Sequence, residues 1–223
     1  MSKLVTVLFG AVLAIAHLSA DAAVITLEGD NLIFKIAGEQ SSDFGDYTLS
    51  GDTLRLSPAG FAADADGPNE MSHAQSVMTV WVQAKGSYLI DALGLTESGS
   101  YSVENGAWAK AKTSVMVNDF GRGETHGASY TKVLNGLEAG SWDWAWSKEL
   151  GGATMLHIVL GDFFSARASR LGADASVNLA FLELKFGGVP ALPVPLPGAA
   201  WLLGLGLIGI AAAGRRLAIR PVL

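Results

Sequence analysis

Short apolar or alternating runs, separated by turn residues, recur along the chain and constrain its fold more than any other feature. They lie at 24–27, 32–37, 53–56, 77–84, 88–93, 107–117, 155–160 and 176–186. The turn signals between or beside them are Gly29-Asp30-Asn31, Gly51-Asp52, Ser98-Gly99, Asn105-Gly106, Asn135-Gly136 and Gly151-Gly152. Runs of this length and spacing are typical of β-strands in a sandwich or jelly roll. We therefore expect an all-β fold, a single antiparallel β-sandwich or jelly-roll-like domain over residues 23–189.

Cysteine is absent from the 223 residues, so the domain has no disulfides and no thiolate metal ligands. Its stability must come from a hydrophobic core, which a single domain of this length is able to bury. Residues 23–189 carry a net charge of about −9. Because that charge repels phosphates, we expect no nucleic acid partner.

The C-terminal region combines a proline motif, an apolar span and a basic end. Residues 190–197 are a proline-rich linker, and 198–214 is an uncharged stretch that would measure roughly 25 Å as a helix, near the lower limit for crossing a bilayer. Arg215 and Arg216 then begin a basic tail, 215–223, which is expected in the cytoplasm. We therefore expect one C-terminal transmembrane helix with the β domain outside the inner membrane.

The N-terminus has the layout of a signal peptide. Lys3 precedes an uncharged apolar stretch at 4–16, and small residues follow at Ala20, Ala22 and Ala23. This order predicts removal of residues 1–22 by signal peptidase after export through the general secretion machinery.

The two ends together resemble the VPLPA variant of the PEP-CTERM class of exported bacterial proteins. The matching residues are Val194, Pro195, Leu196, Pro197, Trp201, Gly204, Gly206, Gly209, Arg215 and Arg216. Gly198 departs from the pattern, where the variant has alanine. The resemblance covers about thirty residues and implies processing by an exosortase-like enzyme in a Gram-negative bacterium that makes exopolysaccharide. It implies nothing about the β domain.

Three tryptophans at period two suggest a function for the β domain. Trp142, Trp144 and Trp146 point to the same side of a strand, so an exposed row would form a platform for sugar rings. A buried row would simply belong to the core, and the polar alternate face, which includes Asp143, favours that interpretation.

A partial calcium motif lies at residues 64–70. Asp64, Asp66, Asn69 and Glu70 place four oxygen-bearing side chains around a glycine turn, as a hard cation requires. Pro68 interrupts the pattern, so a solvated turn is the alternative. No other cofactor is indicated.

Catalytic residues do not stand out. His73, His126 and His157 lie far apart, and no spacing selects a catalytic triad or a carboxylate pair. We expect a non-enzymatic protein of the cell surface or extracellular matrix. The alternatives are a carbohydrate-binding module that holds exopolysaccharide and, less favoured, a surface hydrolase.

Overall fold

Two antiparallel β-sheets make up the part of the chain that this computed structural model describes, residues 24–37, 44–58, 60–135 and 138–191. Those residues contain thirteen strands and no α-helix. The all-β sandwich predicted from the sequence is confirmed.

The first sheet has six strands. In spatial order they are Ile25–Glu28 (β1), Leu32–Ala37 (β2), Glu70–Ala84 (β6), Met155–Ala168 (β11), Trp108–Asp119 (β8) and Glu124–Asn135 (β9). Strand β11 is central, because it pairs along nearly its whole length with β6 on one side and β8 on the other.

The second sheet has seven strands arranged around a long one. They are Asp46–Ser50 (β3), Thr53–Ser57 (β4), Ala62–Asp66 (β5), Tyr88–Glu104 (β7), Glu138–Ala153 (β10), Asp174–Asn178 (β12) and Phe181–Pro190 (β13). One edge of β7 pairs with β13 and then β12, while its other edge pairs with β10.

The core lies between the inner faces of the two sheets. Trp142 of β10 is fully buried and meets Phe164 of β11 edge to face, with ring centroids 5.5 Å apart. Phe61 extends the contact, since its ring centroid lies 4.9 Å from that of Phe164. A continuous aromatic layer therefore joins the sheets in a chain without disulfides.

The side of the sandwich between β9 and β10 is closed by rings from both strands. Tyr130 and Trp144 stack with centroids 6.0 Å apart and planes at 10°. Both are half-buried. Because β9 and β10 belong to different sheets, this stack joins the two sheets at that side.

Several predicted turns occur where expected, and two do not. Gly29 to Asn31 joins β1 to β2, and Asn105-Gly106, with φ values of 53° and 79°, joins β7 to β8. The pair Gly151-Gly152 instead lies inside β10, where the pairing with β7 shifts register in a bulge.

The predicted turn at Ser98-Gly99 is wrong, because these residues lie in the middle of β7. Glycine is required at 99 for space: a Cβ there would lie 2.5 Å from Nε1 of Trp142 and would also meet the carbonyl oxygen of Asn178. The Trp142 indole N–H donates to that same carbonyl at 3.0 Å. Gly99 therefore marks a close approach of three strands, which is a known reason for glycine within a strand.

Gly99→Ala is expected to lower the free energy of unfolding by about 2 kcal/mol or more, because the added methyl displaces the Trp142 ring or breaks its hydrogen bond. Urea denaturation followed by tryptophan fluorescence measures the change. Gly94→Ala in the same strand is the matched control, since its Cβ meets nothing closer than 3.8 Å. Equal stability of the two variants would contradict the packing described here.

Candidate functional site

An exposed cluster of rings lies on the outer face of the six-stranded sheet, the surface formed by the outward side chains of β2, β6, β11, β8 and β9. Trp81 and Phe120 stack with centroids 5.4 Å apart and planes at 7°. The centroid of the His157 ring lies 4.3 Å from that of Trp81. Trp81 is 36% exposed and Phe120 50% exposed, so this stack presents apolar ring surface to solvent.

The local sequence explains why Trp81 points outward. Along β6, Met78, Val80 and Val82 are fully buried between the sheets. Side chains alternate along a strand, so burial of these three leaves Trp81 on the opposite face. Phe120 directly follows β8, and its backbone N–H reaches the carbonyl oxygen of Met155 at 3.4 Å.

A row of polar side chains crosses the sheet at the level of Trp81. Strand pairing places Lys35, Trp81, His157, Asn118 and Thr125 side by side on five adjacent strands. The Thr125 hydroxyl donates to Oδ1 of Asn118 at 2.8 Å, while Nδ2 of Asn118 lies 3.3 Å from Nδ1 of His157. Donation from this amide to Nδ1 leaves the ring hydrogen on Nε2.

Burial lowers the pKa of His157, because the charged imidazolium loses hydration between the neighbouring rings. The neutral ring is therefore the dominant form at neutral pH. It adds both an aromatic surface and a hydrogen-bond donor to the site.

A depression of about 290 Å³ opens beside the ring cluster. Its lining includes Ile33, Lys35, Trp81, Gln83 and Met155. The walls are mainly apolar, and the ammonium of Lys35 and the amide of Gln83 also line the depression. This combination suits a ligand with both apolar and hydrogen-bonding surfaces.

The predicted tryptophan platform differs from this site. Trp142 has no exposed surface, because its ring fills the space above Gly99, so a platform of all three tryptophans is not present. Trp144 and Trp146 point to the same inward side and are half-buried against the core. The three rings do share one face, as the period of two predicts.

The predicted calcium residues lie on an exposed hairpin between β5 and β6. The Glu70 carboxylate accepts a hydrogen bond from the backbone N–H of Asp66 at 3.0 Å, which closes the turn. Asn69 has a positive φ of 64° within it. No group of three or more His, Cys, Asp or Glu in the described ranges is arranged to hold a metal. Asp64, Asp66, Asn69 and Glu70 are exposed.

The histidines and carboxylates do not assemble a catalytic centre in the described part of the chain. His73 lies on the outer face of the six-stranded sheet, stacked on Phe163 at 5.5 Å. Nε2 of His126 lies 3.3 Å from Oε2 of Glu124 on the edge strand β9, and neither residue lines the depression beside Trp81.

A pair of acids that the sequence did not single out is buried between the sheets. Glu97 of β7 and Asp162 of β11 are 0% and 1% exposed, and their carboxyl oxygens have no hydrogen-bond partner among the described residues. Burial raises the pKa of Asp162 to about 7. Burial and the neighbouring Asp162 raise the pKa of Glu97. The Thr113 hydroxyl lies close enough to both acids to lower their pKa values, although its geometry falls outside that of a hydrogen bond. Both residues are almost fully buried, and Asp162 also lines a shallow depression on the outer face of the six-stranded sheet.

The sorting residues lie outside the described ranges. These are the signal-peptide residues Ala20, Ala22 and Ala23, and the motif residues Val194, Pro195, Leu196, Pro197, Gly198, Arg215 and Arg216. Within the described ranges, no helix is long and apolar enough to cross a membrane.

Sequence reasoning missed Trp81, Phe120 and His157 as a site. The available signal was the run 76–83, in which apolar residues occupy both faces. Such a pattern predicts a central strand, and β6 is one. The pattern does not show whether the outward face is covered by another part of the chain. It also gives no indication that Phe120 and His157 lie beside Trp81 in the folded protein.

Comparison with known proteins gives a faint likeness of fold. No family model matches, and no curated protein matches. TmCBM61 in complex with β-1,4-galactotriose aligns over 74% of this chain and 88% of its own, at 12% identity and a TM-score of 0.26. The CBM22-1 xylan-binding domain of Paenibacillus barcinonensis Xyn10C covers 56% and 92%, at 12% identity and a TM-score of 0.24. Murine APRIL covers 55% and 95%, at 11% identity and a TM-score of 0.22. Values this low carry no argument about function.

The free energy of unfolding is expected to fall as pH rises from about 4 to about 7. In that window the unfolded chain releases the Asp162 proton while the folded protein keeps it, which costs up to about 1.4 kcal/mol per pH unit. Glu97, with its pKa also raised, acts in the same direction. Urea denaturation across the pH series measures the slope.

Asp162→Asn is expected to flatten this slope, because the amide has no proton to lose. The control is Asp174→Asn, which removes an exposed carboxylate of β12 and is expected to keep the wild-type slope. An unchanged slope in Asp162→Asn would rule out burial of a protonated carboxyl at this position.

Proposed function

We propose that this chain is an exported, non-catalytic protein that binds polysaccharide through the outer face of its six-stranded sheet. The observation that carries the proposal is the parallel, solvent-exposed stack of Trp81 and Phe120 beside a row of hydrogen-bonding side chains. A contiguous patch of exposed apolar surface, unlike single exposed apolar residues, marks an interaction site.

A sugar ring suits the chemistry of this surface. One face of a pyranose presents C–H groups that pack on an aromatic ring, while its hydroxyls at the rim require hydrogen bonds. Lys35 and His157, the neighbours of Trp81 in the row, supply an ammonium and an imidazole N–H at that rim. The depression lined by Ile33 and Met155 offers room beside the rings.

Binding rather than hydrolysis is supported by the placement of the acids. Glycoside hydrolysis requires two carboxyl groups on either side of a bound substrate. The paired carboxyls of Glu97 and Asp162 instead lie between the sheets, while the outward positions of strands β6, β11 and β8 carry no acid.

The route to the cell surface is a separate part of the proposal and rests on the sequence alone. Signal peptidase removes residues 1–22, the span at 198–214 holds the chain in the inner membrane, and an exosortase-like enzyme reads Val194 to Pro197. The mature protein then belongs to the cell surface or to the exopolysaccharide matrix. A polysaccharide-binding face fits such a location.

Trp81→Ala in the full-length chain is expected to weaken polysaccharide binding about tenfold, since losing an aromatic contact of this size costs roughly 1–2 kcal/mol. Phe120→Ala is expected to act in the same direction. Affinity electrophoresis against galactan, xylan and a polyuronate measures the loss, and Phe181→Ala, an aromatic truncation on the other sheet, is the matched control.

Two results would contradict this assignment. If no polysaccharide in the panel is retained by the wild-type chain, the proposed function fails. If Trp144→Ala and Trp146→Ala abolish binding while Trp81→Ala does not, the half-buried row on β10 is the binding surface instead. Thermal denaturation of each variant separates lost binding from lost folding.

Sorting is tested by intact-mass analysis of the protein from its host. The wild-type chain is expected to begin near Ala23 and to lack the apolar span, whereas a Pro195→Ala/Pro197→Ala variant keeps it. Recovery of wild-type protein in membranes with Arg215 and Arg216 still attached would contradict processing.

A further inference from the structure

Charge is segregated between the two outer surfaces of the sandwich. At the outward positions of β2, β6, β11, β8 and β9, all of them described, there is no Asp or Glu. The same positions carry four basic residues, Lys35, Lys110, Lys112 and Arg167. At the margin, Glu28 of β1 pairs with Lys85 at 3.4 Å.

The outward positions of the seven-stranded sheet have the opposite character. Their acidic residues include Asp66, Glu104, Asp143, Glu149, Asp174 and Glu183. Asp66, Asp174 and Glu104 are direct neighbours on three adjacent strands. The negative net charge of the chain is therefore concentrated on the face away from the ring cluster.

This segregation has a direct consequence for the ligand. A field of one sign on one face attracts a ligand of the other sign and orients it before contact. In a chain with an excess of acid, the outer face of the six-stranded sheet, whose outward positions on β2, β6, β11, β8 and β9 carry basic but no acidic residues, is the surface that favours an anion. That is the face with the exposed rings.

Lys35 lies beside Trp81, whereas the other three basic residues, Lys110, Lys112 and Arg167, lie further along the strands from the rings. Trp81 is level with His157, while Trp108 is level with Arg167, ten residues further along β11. At about 3.3 Å per residue, the two ends are about 30 Å apart. A ligand that contacts both ends must therefore be a long chain.

A shallow depression of about 170 Å³ lies between the two ends. Gly161, which lacks a side chain, lines it together with Val77, Ser114, Lys112 and the buried Asp162. A Cβ at Gly161 would approach Oγ of Ser114 to 3.1 Å. The missing side chain lowers the outer surface of the sheet at a level between Trp81 and Lys110.

Building on the proposed function, we propose that the ligand of this face is a linear anionic polysaccharide, a uronate- or sulfate-bearing chain that runs along the strands. Its sugar rings stack at Trp81 and Phe120, and its charged groups meet Lys112, Lys110 and Arg167. Four cations over about 30 Å suit a chain of modest charge density. They are few for a nucleic acid, which presents a phosphate about every 3.4 Å along each strand.

The experiment compares polygalacturonate with neutral galactan as probes of the full-length chain at low and at physiological salt. Lys110→Gln/Lys112→Gln is expected to weaken polygalacturonate binding about fivefold or more at low salt, with a smaller effect as salt screens the charges. Arg55→Gln/Lys185→Gln removes the same charge from the other sheet and is expected to leave binding unchanged.

A polygalacturonate series tests the length. Affinity is expected to rise with chain length until the oligomer spans from Trp81 to Arg167. Gly161→Leu, which fills the depression between them, is expected to weaken long chains more than short ones. Circular dichroism and thermal denaturation check that this variant folds.

The outcomes separate this inference from the proposed function. If galactan binds through Trp81 and the lysine pair has no effect on any probe, the anionic ligand is wrong and polysaccharide binding stands. If no glycan binds, both fail.

Tighter binding of single-stranded DNA than of polygalacturonate would assign the face to nucleic acid. If the chain self-associates and Lys110→Gln/Lys112→Gln abolishes that association, the partner of this face is the acidic face of a second copy. Either result overturns the inference.

Discussion

The pairing of β11 with β6 and β8 is the constraint on which both the core and the surface of this protein depend. The three strands are in register over about a dozen residues, so every inward side chain of one is level with inward side chains of the others. Leu160, Met78 and Val115 fill the interior in this way. The same register fixes the outward rows, because side chains alternate along each strand. A slip of one residue in β11 would bury His157 and expose Ile158.

The interior shows what holds the two sheets together. Trp142 depends on a glycine opposite it, and its indole N–H depends on the carbonyl oxygen of Asn178. Glu97 and Asp162 oppose this stabilisation, because burial favours the neutral forms of their carboxyl groups. Apolar residues at these two positions would avoid that cost, so the acids make folding sensitive to pH without a catalytic use that the geometry supports.

The sequence predicts much of the fold and little of the site, and particular residues show why. Alternation and turn residues are local signals, so every predicted strand region corresponds to observed strand. The run 176–186 is divided between β12 and β13. Strands β3, β5, β9 and β10 are absent from the predicted runs, and only the tryptophan period of two indicated a strand within β10. Ser98-Gly99 was misread because the need for glycine comes from Trp142, 43 positions away in the chain. The site was missed for the same reason. Trp81, Phe120 and His157 come from three distant segments, and only strand pairing brings their rings within 6.2 Å of one another.

Net charge shows most clearly how the sequence and the structure differ in what they indicate about a ligand. The sequence fixes an excess of acid, and from that excess alone an anionic ligand is unexpected. Tertiary structure places that acid largely on one sheet and leaves the other with outward lysine, arginine and aromatic side chains. Local sequence determines the composition, the all-β class and the sorting signals predicted at the two termini. Which residues share a surface, and with what charge, is decided by strand register, because interactions between distant segments set the register.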